Sequence, residues 1–402
     1  MNLYEYAIRR IILMMFVLLL LSIFIFYLMR GLLPPTTALA PYITPRMTDS
    51  AKLGLAQSLG IATSSCPSFS AFSSGQSGCV VPLWGQYFGW LRNVLSGNWG
   101  YTLLPGISGT ETTWNVFASR FPYTAELAIA GGILTIVIAF PLGIISATRN
   151  NQLPDHVSRM ISLGGYSVPQ FWFGAVLQIL FVLYIRVNGQ GLLPTAGTLA
   201  TTCFLCSSNP GHAIAFTGMP VVDGLLSGNL PYAWDALVAL ALPSITLAIT
   251  SIGALTRIIR SSMMEALSQD YILLARSKGL RERVVIYRHA LRNALLPAIT
   301  ISGLLTASLL GGVVVVEIVF SWPGVGNASL VAADVLDINF LELYVLVTAL
   351  VIIMTNLIVD ILYAKLDPRI RYWAMAWAKQ AASRKDPGRQ RGSRPMRSSR
   401  CI

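Results

Sequence analysis

The chain has 402 residues, and its composition of 54% hydrophobic and 11% charged residues excludes the two or three soluble domains that this length alone would favour. Its formal net charge of +12 would indicate a nucleic-acid partner in a soluble protein, but most of the Lys and Arg residues are concentrated in alternate polar segments between long apolar stretches. By the positive-inside rule this distribution places both termini and the 257–293 loop in the cytoplasm. The charge therefore indicates membrane topology and excludes a nucleic-acid partner.

Long apolar stretches predict the architecture, because about 20 helical residues are needed to cross the hydrocarbon core of a bilayer. Six are present, centred on Ile11–Leu28, Thr124–Ala147, Met160–Ile185, Trp234–Ile258, Ala294–Val319 and Leu341–Ala364. In lipid every backbone amide must be bonded within its own segment, so these stretches are predicted to be helices. The predicted fold class is all-α: a polytopic, multi-pass protein of the cell membrane with six transmembrane helices.

The first apolar stretch is followed by Ala38-Leu39-Ala40, which resembles a signal-peptidase site. The apolar run is longer than that of a usual signal sequence, and the tripeptide lies about ten residues beyond it. We therefore expect a retained span, within an N-terminal segment 1–30, in preference to a cleaved signal. Either outcome leaves the 257–293 loop inside.

The predicted extracellular segment 31–121 changes character near Pro82, from Ser-, Gly- and Pro-rich to aromatic. Beyond that point Leu83, Tyr87 and Val94 recur at helical spacing. This pattern is typical of a short amphipathic helix at the membrane interface. A packed extracellular cap is an equally good interpretation.

Four of the cysteines lie in predicted external loops, Cys66 and Cys79 in the first and Cys203 and Cys206 in the second. An oxidising compartment favours two disulfides that staple these loops, in a pairing that the sequence leaves open. Free thiols are one alternative, and half of a metal site at the 203–206 CxxC is another. Because the chain has only 3 His, we expect no metal.

Acidic residues inside the predicted spans, among them Glu126, Glu317 and Asp360, each lie near the end of a span. An ion-coupled secondary carrier would be expected to have mid-span charges or an internal repeat of broken helices. Neither is visible. This argues against an ion-coupled carrier. A membrane scaffold without a transport role is a further alternative.

A charged island from Glu265 to Pro297 interrupts the apolar pattern on the cytoplasmic side. Asp270 is a predicted N-cap, Tyr271–Lys278 contains strong helix formers, and Gly279 supplies the left-handed stop that ends many helices. The predicted helix has about two turns and is too short to be stable alone in water. It must therefore lie on a surface.

A second amphipathic helix is predicted after this glycine and leads into the fifth span. Its apolar positions Val284, Tyr287, Leu291 and Leu295 repeat at three- and four-residue steps. A short apolar-faced helix between charged residues suits recognition in a partner's groove.

The island resembles the "EAA" loop of binding-protein-dependent ABC importer permeases, with Ala275, then Gly279, then Leu291 at the family spacing. The runs QDYILLARSKGL and RHALRNALLPAIT are similar to the oligopeptide/dipeptide permease branch (B-type), as are PLWGQYFGWL, VVVEIVFSWPGVG and NLIVDILYAKLDPRIRY. The likeness covers most of 82–372 and the YAIRRI start. External segments 31–81 and 195–230 have no counterpart in it.

Three positions depart from the general motif of that loop. Leu273 occupies its Glu position, Arg292 its Pro position, and Arg281 the position where a helix-capping Ser is expected. The first two are usual for this branch.

The resemblance implies a type I ABC importer (MetI-like) permease fold in 122–364, the ABC transmembrane type-1 domain, with an enlarged extracellular segment after the first helix. It implies a pore-forming subunit with these partners: a second permease subunit, more often a different chain, two ABC ATPase subunits, an extracellular substrate-binding protein and membrane lipid. The chain contains no phosphate-binding GxxxxGK[ST] loop. No cofactor is therefore expected on this chain, and ATP and Mg would act on the partner subunits.

The family motif also implies roles for individual residues. ATPase coupling is assigned to Asp270, Tyr271, Ala275, Arg276, Gly279 and Leu291, and a candidate gate to Trp322, Pro323 and Gly324. No catalytic residue is implied. Di- or oligopeptides are the implied substrates, with oligosaccharides or nickel as alternatives, and the basic tail 365–402 is predicted to be a disordered cytoplasmic segment.

Overall fold

The computed structural model describes residues 3–44, 46–105, 111–187, 190–198 and 214–366. Predictions for Cys203, Cys206 and nearly all of the basic tail lie outside these residues.

Seven α-helices lie in the described residues of the first half of the chain. They are α1 (Leu3–Leu32), α2 (Asp49–Ser58), α3 (Phe69–Ser73), α4 (Leu83–Leu95), α5 (Thr113–Thr148), α6 (Leu153–Ser167) and α7 (Gln170–Ile179). A 3-10 helix at Thr37–Tyr42 precedes α2, and a π-helical turn at Leu180–Tyr184 extends α7. Two-residue strands Arg186–Val187 and Gln190–Gly191 pair antiparallel after that turn.

The part of the second half that the structure describes forms seven more α-helices. They are α8 (Pro220–Leu226), α9 (Leu230–Leu267), α10 (Asp270–Ser277), α11 (Glu282–Val284), α12 (Leu291–Val319), α13 (Val325–Asp334) and α14 (Ile338–Leu366). A π-helical segment, Val285–Ala290, joins α11 to α12. The predicted all-α class is confirmed.

By length and composition, several helices among the described residues could cross a membrane. Four helices qualify: Ile8–Leu32 of α1, all of α5, all of α9, and Ile338–Val359 of α14; the bent pair α6–α7 would be a fifth. Helix α12 coincides with the fifth predicted span and has 29 residues. The count of six spans stays a prediction.

The third predicted span, Met160–Ile185, is divided between two helices. Helices α6 and α7 are bent by 104° at the break between them. Val168 there is extended, with φ −86° and ψ 126°, and Pro169 caps α7. Because proline disfavours the helical conformation of the residue before it, α6 ends at Ser167.

Helix α9 is the axis of the bundle and packs against α5, α6, α7, α8 and α12. In its most apolar stretch of 18 residues, 72% of the residues are buried. Glycines let α5 approach it closely: a Cβ at Gly131 would lie 2.7 Å from a Leu247 side-chain carbon, and one at Gly143 2.7 Å from Ile259. Since α9 ends just before α10, the charged island is attached directly to the most buried helix.

The aromatic helix predicted near Leu83 is α4, and it packs on the C-terminal half of α1. The ring centroids of Phe26 and Tyr87 lie 5.3 Å apart, and the Ser22 and Tyr87 hydroxyls are 3.0 Å apart. Trp84 and Phe88 are exposed. Its placement at a membrane interface stays a prediction.

Within the 31–121 segment, Cys66 and Cys79 are bonded to each other. Both sulfurs are buried in a small core with Leu39, Ala56 and Phe72. The disulfide therefore closes a separate apolar cluster formed by the 3-10 helix, α2 and α3.

Candidate functional site

The charged island begins with a turn after α9, and α10 starts one residue earlier than predicted. Gln269 holds the N-cap position with an extended backbone (φ −80°, ψ 149°), and its side chain makes no capping bond. The predicted N-cap, Asp270, is instead the first helical residue. Its carboxylate lies in the first turn, where it interacts favourably with the helix dipole.

Gly279 ends the two-turn helix, as its φ of +73° requires. Its N–H donates to the Arg276 carbonyl at 2.9 Å, which closes the last turn. A Cβ at this position would meet no atom within 4 Å. The backbone conformation, and not lack of space, therefore demands glycine here.

One face of α10 is buried against the chain itself. Ile272 and Ala275 are 0% and 7% exposed and share a core with Met263, Val285 and Ala290. Ala275, which the family motif assigns to ATPase coupling, therefore packs against the chain's own π-helical segment.

The opposite face of α10 is apolar and open. Leu273 and Leu274 are 67% and 58% exposed, and Tyr271 lies beside them at 36%. We call these three residues the exposed α10 face. Two leucines that face away from the core of so short a helix are typical of a docking surface. The sequence interpretation treated Leu273 only as a departure from a motif and left Leu274 out; the consecutive pair was the available signal.

Arg276 pairs with Glu282 across the Gly279 turn. Its Nη2 donates to Oε1 at 2.7 Å and its Nε to Oε2 at 3.3 Å. Because both side chains are about half exposed, the pair contributes only about 0–1 kcal/mol. It orients α11 relative to α10 more than it stabilises either.

The stripe predicted after Gly279 is wrong at one of its four positions, Tyr287. Val284 is half-buried and Tyr287 is exposed, whereas Val285 and Ala290 are fully buried. The π-helical turn between them widens the helix, so that the buried positions step by five residues before α12 resumes the usual period. Leu291, at the start of α12, is half-buried.

The candidate gate is a tight turn between α12 and α13. Ser321 adopts a positive φ of 49°. Trp322 is buried, and its Nε1 donates to the Tyr123 carbonyl at 3.0 Å. Pro323 is half-buried, and Gly324 lies so close to the Glu317 carboxylate that any Cβ there would collide with it.

Glu317 holds that turn against α5. Its carboxylate accepts from the Thr124 hydroxyl at 2.5 Å and from the Asn327 backbone N–H at 2.8 Å. The Val325 N–H in turn donates to the Thr124 oxygen at 2.9 Å. The sequence singled out Glu317 as a rare acid in a span; its partners were not predictable from spacing, since Thr124 is far away in the chain.

No group of three or more His, Cys, Asp or Glu side chains that could hold a metal ion occurs in the described part of the chain. The two features that stand out are thus an exposed apolar face at one end of the bundle and a hydrogen-bonded turn between α12 and α13.

Comparison with known proteins gives the family of this chain. Residues 139–372 match the family described as binding-protein-dependent transport system inner membrane component. The dipeptide transport system permease protein DppB of Escherichia coli (strain K12) is 36% identical over 295 residues, 73% of this chain and 83% of that protein. The oligopeptide transport system permease protein AppB of Bacillus subtilis (strain 168) is 36% identical over 293 residues, 72% of this chain and 81% of that protein.

The di/tripeptide transport system permease protein DppB of Pseudomonas aeruginosa (strain UCBPP-PA14) is 36% identical over 306 residues, which cover 76% of this chain and 86% of that protein. These relatives and the match to the family agree along most of the chain. The chain belongs to the binding-protein-dependent transport system inner membrane components, a family of non-enzymatic permease subunits of ABC transporters.

Proposed function

We propose that this chain is the pore-forming subunit of an ATP-driven importer of di- or oligopeptides. The observation that carries the proposal is the exposed α10 face, an apolar surface on a helix whose other face is fixed to the bundle. Family membership supports the transport role. The names of three relatives, which specify dipeptide, di/tripeptide and oligopeptide transport, support the substrate class.

The packing of α10 explains how a partner could move the pore. Ile272 and Ala275 seat α10 on the π-helical segment, which itself contacts α9 and α12. A force applied to Leu273 and Leu274 is thereby transmitted to two long helices as a nearly rigid unit. ATP hydrolysed by a docked partner would then bias the bundle between inward- and outward-open states.

The remaining partners follow from this role. A second permease subunit, a different chain, would complete the pore, and two ATPase subunits would hold ATP and Mg. An extracellular binding protein would deliver the peptide and do most of the selection. Both termini and α10 would then lie in the cytoplasm, in agreement with the charge distribution.

Association with the ATPase tests the proposal. Burial of one leucine side chain contributes about 1.5–3 kcal/mol, so Leu273→Asp or Leu274→Asp should weaken copurification of the ATPase subunits by about tenfold or more. Leu153→Asp is the matched control, because Leu153 is also exposed but lies on α6. Undiminished association and uptake in both α10 variants would refute the docking role.

A further inference from the structure

A cavity of about 170 Å³ lies between α6 and α9, at the end of the bundle that leads into α10. Three arginines, Arg159, Arg257 and Arg260, line it together with Ser146 and Thr256. Arg260 precedes the end of α9 by two turns, which is about 10 Å along the helix. The coupling function proposed above does not use this cavity.

The cavity has an excess of positive charge. Asp155 is fully buried and is the carboxylate that pairs with Arg159 and Arg260; Arg159 Nε donates to its Oδ1 at 3.1 Å and Arg260 Nε at 2.9 Å. The Ser146 hydroxyl, at 2.5 Å, and the Asn151 N–H, at 2.9 Å, occupy further acceptor positions. One negative charge thus faces three positive ones.

Arg257 accounts for part of that excess. Within the residues that the structure describes it has no carboxylate partner, and its guanidinium lies 5.5 Å from the centroid of the Tyr166 ring. A guanidinium has five N–H donors in a planar fork that suits phosphate oxygens. Arg257 is therefore available to an anion in the cavity.

Thr256 is a second, independent indication of a ligand. Its side chain is buried and lines the cavity, yet its hydroxyl has no hydrogen-bond partner among the described residues. An unsatisfied buried hydroxyl costs about 1–3 kcal/mol. A ligand oxygen in the cavity would satisfy it.

The surface next to the cavity is apolar. Met160, Leu163 and Tyr166 recur every three residues along α6 and are all exposed, and Leu163 also lines the cavity. A basic pocket beside an exposed apolar helix face matches a molecule with an anionic head and hydrocarbon chains. Basic pockets between membrane helices on the cytoplasmic side bind anionic lipid headgroups.

We propose that this cavity binds the phosphate of an anionic phospholipid. Arg257, the remaining N–H groups of Arg159 and Arg260, and the Thr256 hydroxyl hold the phosphate, and the acyl chains lie along α6. A phospholipid bound there links α6 to α9 near the start of α10.

Lipid binding to the full-length chain in detergent tests this site. Phosphatidylglycerol should bind one to one in native mass spectrometry and raise the thermal midpoint, whereas phosphatidylcholine should do neither. Arg257→Gln should weaken phosphatidylglycerol binding about fivefold, since one arginine contributes about 1 kcal/mol to such binding. Arg283→Gln is the matched control, because Arg283 is exposed on α11.

A second variant separates a specific site from general charge. Thr256→Val keeps the charge and volume but removes the hydroxyl, so it should weaken phosphatidylglycerol binding while leaving the lipid-free chain at least as stable. Equal effects of Arg257→Gln and Arg283→Gln would overturn the proposal. So would stabilisation by inorganic phosphate alone, dependent on Arg257 and not increased by the lipid, because it would assign the site to a free anion.

Discussion

Replacing Gly279 by valine perturbs the turn after α10 without crowding it. No atom lies within 4 Å of a Cβ there, so the whole effect arises from the backbone, which adopts φ +73°. A side chain with a Cβ loses about 1–2 kcal/mol in this left-handed region, and a β-branched one fits it worst. Asparagine tolerates the same conformation and serves as the conservative variant.

The conformational penalty for valine can be compared with the ion pair that stabilises the turn. The exposed Arg276–Glu282 pair spans it and contributes about 0–1 kcal/mol. The penalty for valine is therefore as large as or larger than the interaction that fixes α11 to α10. About 1.4 kcal/mol corresponds to a factor of ten in an equilibrium constant. In the valine variant the native conformation of this turn should therefore be populated about tenfold less, relative to its non-native conformations.

The assay is peptide uptake per ATP hydrolysed, in proteoliposomes that contain the chain with its proposed partner subunits. Gly279→Val should lower this ratio by about tenfold, whereas Gly279→Asn should stay close to the unsubstituted chain. Gly54→Val is the control, because Gly54 also has open space around it but lies within α2 without a positive φ. Unchanged coupling in the valine variant, or equal damage from asparagine, would refute the conformational argument.

Three further predictions concern the opposite end of the molecule. Gly324→Ala should cost about 1–3 kcal/mol, because its Cβ collides with the Glu317 carboxylate; an unchanged thermal midpoint would contradict this. Cys79→Ser should cost about 3 kcal/mol, as expected for a loop of this length, and should expose α2 and α3 to protease; resistance equal to the unsubstituted chain would count against it. Burial would raise the pKa of Asp223, but hydrogen bonds from Thr217 and Gly218 outweigh it and hold the pKa below 3.8. The contribution of Asp223 to stability should be full above pH 3.8 and be lost as the pH falls through the lowered pKa. In thermal melting curves measured at a series of pH values, Asp223→Asn should remove this acid-sensitive step.

Local signals predicted much of the architecture. The spacing of Leu83, Tyr87 and Val94 predicted α4, and the helix formers before Gly279 predicted α10 to within one residue at either end. Both depend on periodicity and on a glycine with positive φ, which are properties of neighbouring residues. Such local signals predict the structure wherever tertiary contacts do not override them.

Other features depend on contacts between distant parts of the chain. Pro169 follows the end of α6, but the 104° bend depends on how α6 and α7 each pack on α9. The π-helical turn brings both Val285 and Ala290 into the core, which a regular 3.6-residue period cannot do. The cavity beside Thr256 likewise could not be predicted from the sequence, because it depends on how α6 packs against α9.

The most direct test of the transport role is the energy source for peptide uptake. Proteoliposomes that contain this chain, a second permease subunit and the ATPase subunits should take up a labelled dipeptide only with ATP and an external binding protein. A proton ionophore should leave the initial rate unchanged. Uptake that needs no ATP and is abolished by the ionophore would contradict the account and identify an ion-coupled carrier.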